Sequence, residues 1–275
     1  IYAILAIGFS LIFGVARIVN IAHTAFYMLA SYCIYYMTNK LGIHPILGMI
    51  VAVILVTTIG LISYKLFIDP IREHEAAVLI ATIALAIAFQ EIMLLFFSGD
   101  YLSVPPLIEG FFSIFGVKVF YQQFLTFIVV LAILAALRAL LMKSRLGLAI
   151  RSTAQDREVA NLMGMNEAWV AMMTLAISVA IAALTGAVVL PLSVLNPHMW
   201  MAPLIMMMAV VVLGGLGSLK GSFVGAYILA LSEALVVFLI PKGAFLRESV
   251  ALSIMIVVLL LRPKGLFGVF FEEER

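Results

Sequence analysis

Charge is what this sequence has least of. Only 11% of its 275 residues are Asp, Glu, Lys or Arg, and the stretch from Ser249 to Leu261 carries none. Set against 65% hydrophobic residues and a mean hydropathy of +1.25, that scarcity excludes a soluble globular protein. Cys33 is the only cysteine, so neither a disulfide framework nor a cysteine-built metal site is open to the chain. Within an apolar run it reads as a small packing residue. Polar sequence is nearly as scarce, since its longest stretch runs only from Lys143 to Trp169, well short of a domain. Nor is there a phosphate loop. Lys220 and Gly221 stand in the reverse of the Gly-x-x-x-x-Gly-Lys order, so no nucleotide or other cofactor is expected here. Any ATP that powers this protein is hydrolysed by another chain.

What remains is a succession of long apolar runs. A helix needs about twenty apolar residues to cross the hydrocarbon core, and backbone polar groups in lipid have to be satisfied within each helix. The runs predict an all-α polytopic transmembrane bundle of about nine spans, at 1–16, 18–38, 45–68, 76–97, 121–142, 170–190, 201–216, 222–240 and 247–261. Together they make one domain over residues 1–275, with a cytoplasmic loop at 143–169. The second run is interrupted by Asn20, His23 and Thr24. Because the chain opens at Ile1 already inside an apolar run, its first helix is expected to be incomplete, with a short stretch upstream.

Alternating sides sorts the basic residues. Arg17, Lys65, Arg72, Arg138, Lys143, Arg145, Arg151, Arg157, Lys220, Arg262, Lys264 and Arg275 fall on one side; Lys40, Lys118, Lys242 and Arg247 fall on the other. Twelve against four places the 143–169 loop and the C-terminus in the cytoplasm by the positive-inside rule. On the outer side, residues 111–120 are aromatic and β-branched and are broken by Gly116. They can form a small hairpin or lie along the membrane interface, the interfacial loop being the preferred reading.

The cytoplasmic loop carries a helix signal. Thr153 with Asp156 three residues on resembles a capping box, and Gly164 is placed to end the helix in the left-handed conformation. Within 154–163, Val159, Leu162 and Met163 share one face, while Asp156, Arg157, Glu158 and Asn161 supply the polar remainder. A helix this short does not persist alone in water. It needs a surface, whether headgroups, the protein's own spans or a soluble partner.

The stretch Ala149-Ile-Arg-Ser-Thr-Ala-Gln-Asp-Arg-Glu-Val-Ala-Asn-Leu-Met-Gly164 resembles the cytoplasmic coupling segment of binding-protein-dependent ABC importer permeases. Within these it is similar to the branched-chain amino acid permeases, of the first of their two paralogous subunit types. Three further stretches agree: Gly8-Phe-Ser-Leu-Ile-Phe-Gly-Val-Ala-Arg-Ile-Val-Asn-Ile-Ala-His23, Val212-Leu-Gly-Gly-Leu-Gly-Ser-Leu-Lys-Gly221 and Leu261-Arg-Pro-Lys-Gly-Leu-Phe-Gly268. The resemblance covers essentially the whole chain. It departs after His23, where the family has Gly and often Glu, and this chain has Thr24 and Ala25. The resemblance implies a bacterial or archaeal plasma-membrane permease subunit. Its expected partners are a second, related permease subunit, two cytoplasmic ATPases and an extracytoplasmic solute-binding protein. It also implies that Asp156, Arg157, Glu158, Val159, Leu162, Met163 and Gly164 dock an ATPase.

Four polar residues stand out inside predicted spans. Glu91 and Glu233 are intramembrane carboxylates, and Asn20 and His23 are expected to share one helical face near the cytoplasmic side. Such groups either line a path or hydrogen-bond between helices. Gly217, Gly221 and Gly225, spaced by four, would give one smooth face for close helix packing. An ion-coupled secondary transporter would bind its ion at midplane ionisable groups and broken helices, for which this chain offers few candidates. An intramembrane enzyme would need a Ser–His pair, and the sequence gives His23 no evident serine partner.

Overall fold

The computed structural model describes residues 1–114, 117–240 and 243–268. The break expected at Gly116 and the basic residues Lys242 and Arg275 lie outside them. The described residues form α1 Tyr2–Ala16, α2 His23–Tyr35, α3 Pro45–Ser63, α4 Glu75–Phe97, the strands β1 Phe111–Ile114 and β2 Val117–Phe120, and α5 Tyr121–Lys143. There follow α6 Arg145–Gln155, α7 Arg157–Leu162, α8 Glu167–Val189, α9 Met201–Gly214, α10 Leu219–Leu239 and α11 Arg247–Leu261. The expected all-α architecture is the one that forms. Among the described residues, five segments are long and apolar enough to cross a membrane: Pro45–Ile71, Glu75–Phe97, Tyr121–Lys143, Glu167–Leu192 and Leu219–Leu239; α1 and α9 are shorter apolar helices.

The bundle is built around α8. In its most apolar window 61% of residues are buried, against 17% to 28% in the other four long segments, and α1, α2 and α3 pack against it. Small residues permit this. Ala182, Ala183, Gly186 and Ala187 line α8, and a Cβ at Gly186 would stand 2.5 Å from the Tyr27 carbonyl oxygen. Close backbone approach of this kind substitutes for the hydrophobic drive that lipid does not supply.

The second predicted span differs from a simple helix. The chain leaves α1 at Arg17, runs without helix to Ala22, and starts α2 at His23. There the imidazole lies against Gly8, halfway along α1, and Ser178, halfway along α8. Helix α2 therefore begins at mid-depth. Asn20 lies in the non-helical lead and does not share a helical face with His23, contrary to expectation. Ile21 N donates to Thr82 Oγ1 of α4 at 3.3 Å, and Ile18, Asn20 and Ala22 are buried. Irregular backbone is tolerated at this depth because protein, not lipid, surrounds it.

On the opposite side, residues 111–120 pair as an antiparallel hairpin and not as the preferred interfacial loop. The register places Phe111 opposite Phe120 and Ser113 opposite Lys118. The Phe111 and Phe120 rings meet edge-on at 6.2 Å, Lys118 Nζ sits 4.7 Å over Phe111, and Phe112 packs on Phe124 of α5 at 5.9 Å. Cross-strand aromatic pairs of this kind stabilise a hairpin that hydropathy alone reads as interfacial.

The glycine-rich stretch also rearranges. Gly221 and Gly225 lie on α10 and face α9, but Gly217 is in the preceding turn at φ +78° and packs beside Gly14 of α1. Gly214 supplies the missing partner, since a Cβ at Gly221 would fall within 2.0 Å of its carbonyl oxygen. The segment after α11 then closes the end of α9. Leu266 N donates to Leu213 O and Phe267 N to Gly214 O, both at 2.9 Å.

Candidate functional site

The polar connection between α5 and α8 folds as a helical hairpin under the bundle. Ser144 caps α6, its Oγ accepting from Gly147 N at 2.8 Å. One continuous helix from 154 is not what forms. Asp156 takes an extended conformation, φ −152° and ψ 113°, and ends α6. Its carboxylate then accepts from Val159 N at 2.9 Å and starts α7. Thr153 does not cap: it lies inside α6, buried, with no partner for Oγ1. Gly164 does adopt the left-handed conformation, φ +83°. The Gly164 and Met165 amides return to Asn161 O and Ala160 O at 2.9 and 3.0 Å, which satisfies the carbonyls at the helix end.

With both ends capped, α7 buries Ala160 and presents the opposite face outward. Val159 is 53% exposed, Met163 77% and Leu162 86%. Asp156 and Glu158 are exposed beside them. Arg157 departs from the expected rim position and reaches inward. Its guanidinium donates twice to Val15 O in the last turn of α1, from Nε at 3.1 Å and from Nη2, and it pairs with Glu167 of α8 at 3.1 Å. Burial pushes its pKa down, with Arg17 and Arg72 adding to the fall and Glu167 opposing it; an arginine remains charged regardless. A polar cavity of about 270 Å³ adjoins this strut, lined by Tyr64, Arg72, Glu73, Arg157 and Glu167. One arginine thus ties α7 to both α1 and α8.

Those two helices enclose the mid-depth node. Ser178 Oγ donates to Gly8 O at 2.7 Å and lies 3.2 Å from His23 Nδ1. The serine partner that the sequence did not reveal is therefore present, but its proton is committed to a carbonyl. Both residues are buried to 0% exposure, and neither lines a described cavity. The pair is a buried contact between α2 and α8 that also reaches α1 through Gly8 O. Asn20 Oδ1, His23 Nε2 and Thr24 Oγ1 are buried nearby without hydrogen-bond partners.

The remaining polar candidates stand apart. Glu233 is buried and paired with Arg247 at the start of α11 at 3.4 Å. Glu91 is exposed on the outside of α4, where Gln90 Nε2 donates to it at 3.2 Å while Gln90 Oε1 accepts from Trp200 Nε1 at 2.9 Å. The structure joins Asn20 with His23 but brings neither carboxylate to them. Sequence reading missed Val15 and Ser178 because a carbonyl and a mid-helix serine have no local signature.

Fold and module define a polytopic helical membrane protein carrying a structured polar hairpin at one end of the bundle. Residues 1–261 match the family described as branched-chain amino acid transport system / permease component, and the chain belongs to that family. It is a transport subunit, not an enzyme. The chain is 29% identical to the high-affinity branched-chain amino acid transport system permease protein BraD of Pseudomonas aeruginosa, over 97% of this chain and 91% of that one. It is 28% identical to the permease protein LivH of Escherichia coli K12, over 97% and 91%. It is also 28% identical to a probable LivH of Methanocaldococcus jannaschii, over 98% and 89%. No solved structure matches the chain.

Proposed function

We propose that this chain is the membrane-spanning subunit of an ATP-driven, binding-protein-dependent importer of branched-chain or related small amino acids. It sits in a bacterial or archaeal plasma membrane with the α6–α7 hairpin and the C-terminus in the cytoplasm. A second permease subunit, two ATPases and an extracytoplasmic binding protein complete the assembly. The observation that carries this reading is α7. Its capped ends and inward arginine hold a six-residue helix in place while Val159, Leu162 and Met163 remain uncovered. A surface of large apolar side chains kept rigid and unpartnered is what a soluble subunit docks on. Asp156, Glu158 and the turn at Gly164 frame it.

Among the polar residues, we assign Glu91 to a path formed between two permease subunits, a reading supported by its exposure on the outside of α4. Asn20, His23 and Glu233 act on the path through helix position. The test is Leu162→Asp in the assembled complex. A carboxylate forced into an apolar contact is unfavourable by roughly several kcal/mol, so ATPase co-purification and leucine uptake should both collapse while membrane insertion is unchanged. Normal association and uptake would remove α7 as the docking site.

A further inference from the structure

A cleft of about 510 Å³ opens between α2, α3 and α4 at the end of the bundle opposite the Arg157 strut. Helices α3 and α4 each pack on α2 and are joined through the Tyr64–Ile71 connection. The walls are apolar and aromatic: Val56 and Ile59 of α3, Phe97 of α4, Tyr32 and Cys33 of α2. At the mouth stand Lys40 and Asp100, both exposed and of opposite sign. Among the described residues they form no ion pair with each other. Tyr32 is 1% exposed with its ring 4.8 Å from Phe97, and its hydroxyl has no hydrogen-bond partner. A buried hydroxyl left unpaired is unfavourable unless something supplies the missing bond.

We infer that this cleft receives a zwitterionic amino acid with an aliphatic side chain. The proposal rests on the importer reading and names where, in this subunit, such a solute is held on arrival. The hydrocarbon side chain lies against Val56, Ile59 and Phe97, which reward its burial in proportion to area. The carboxylate meets Lys40, the ammonium meets Asp100, and the Tyr32 hydroxyl is a further polar contact at the wall. A lipid acyl chain would use the same apolar wall but leave that hydroxyl unpaired. The basic-residue distribution puts this mouth on the extracytoplasmic side, where a binding protein would deliver its solute.

Cys33, the chain's only cysteine, lines the cleft and serves as the probe. The assembled complex in proteoliposomes, with partner cysteines replaced and Cys33→Ser as background, is labelled with methyl methanethiosulfonate. L-Leucine, L-isoleucine and L-valine should slow labelling of Cys33. Isocaproate and isoamylamine, which keep leucine's branched chain but one charge each, should not. Lys40→Gln and Asp100→Asn should each raise the half-protecting concentration about tenfold, the size of one charge-assisted hydrogen bond, and Tyr32→Phe should raise it less. ATP-driven leucine uptake is recorded on the same vesicles. Uptake without protection by any amino acid would overturn the cleft and leave the importer standing. Equal protection by isocaproate would make it a lipid site. Cys33 reactive in the isolated chain but unreactive in the complex would show that the second permease covers it, also overturning the proposal. Protection without uptake would support the cleft and count against the importer reading.

Discussion

At the scale of single residues, glycine and the buried polar groups set the tolerances. Gly214 and Gly221 let α9 and α10 touch backbone to backbone, so even one added methyl must push them apart. Gly221→Ala is expected to destabilise the detergent-solubilised chain by about 1–3 kcal/mol, and Gly221→Leu to prevent stable expression. Fluorescence-detected thermal melts on purified protein measure the first, membrane yield the second. Wild-type behaviour in both would show that this crossing opens at no cost. Glu233 is neutralised by Arg247, whose side chain is 50% exposed, so Glu233→Gln should lower uptake modestly through lost packing without moving its pH profile. A displaced profile would instead mark a carboxylate that carries a proton.

At the scale of elements, the Arg157 strut joins α7 to the last turn of α1 and the first turn of α8, the route by which a push on α7 would reach the bundle. Lysine keeps the charge opposite Glu167, but one ammonium cannot reproduce the fork that serves Val15 O and Glu167 together. Arg157→Lys is therefore expected to retain the ATPase while lowering leucine uptake per ATP hydrolysed several-fold. Unchanged stoichiometry would show that α7 signals by another route. Element limits were legible wherever an apolar run met a strong punctuation. Pro45 opens α3 at its first turn, and α4, α5, α10 and α11 fall within a few residues of their hydropathic runs. Where polar residues broke a run, the reading failed. The run at 18–38 hid a non-helical lead, because hydropathy counts apolar residues without asking whether their backbone is helical. Asp156 was read as the far end of a capping box, and it proved to be the cap itself. Of the site, the outward face of α7 was legible from periodicity. The inward reach of Arg157 was not, since its acceptor is a backbone carbonyl in a distant helix.

At the scale of the whole molecule, the energy source follows from what the subunit presents to its partners. It has an uncovered apolar face on α7 at one end, and Glu233, the buried carboxylate among the described residues, is already ion-paired. Uptake into proteoliposomes of the complete assembly is expected to require ATP and the binding protein, and to survive collapse of proton and sodium gradients while ATP is maintained. Gradient-driven uptake by this chain alone would sink that mechanism. Long-range closure of the bundle was the part of the fold least visible in sequence. His23 meets Ser178 from 155 residues away in the sequence, and the glycine stretch meets Leu266 and Phe267 from beyond two further helices.

That last meeting has a consequence for biogenesis. The carbonyls of Leu213 and Gly214 receive their hydrogen bonds from Leu266 and Phe267, which the ribosome adds only after α10 and α11 have been made. During synthesis α9 therefore waits, inserted but unfinished, until the later segment emerges and seals it. A chain stopped after Leu261 would carry every span but leave those two carbonyls unpaired. Such a product is expected to insert yet remain sensitive to protease at the 214–218 turn, whereas the longer chain is protected there. The closing segment thus distinguishes a chain made through Phe267 from one stopped short of it.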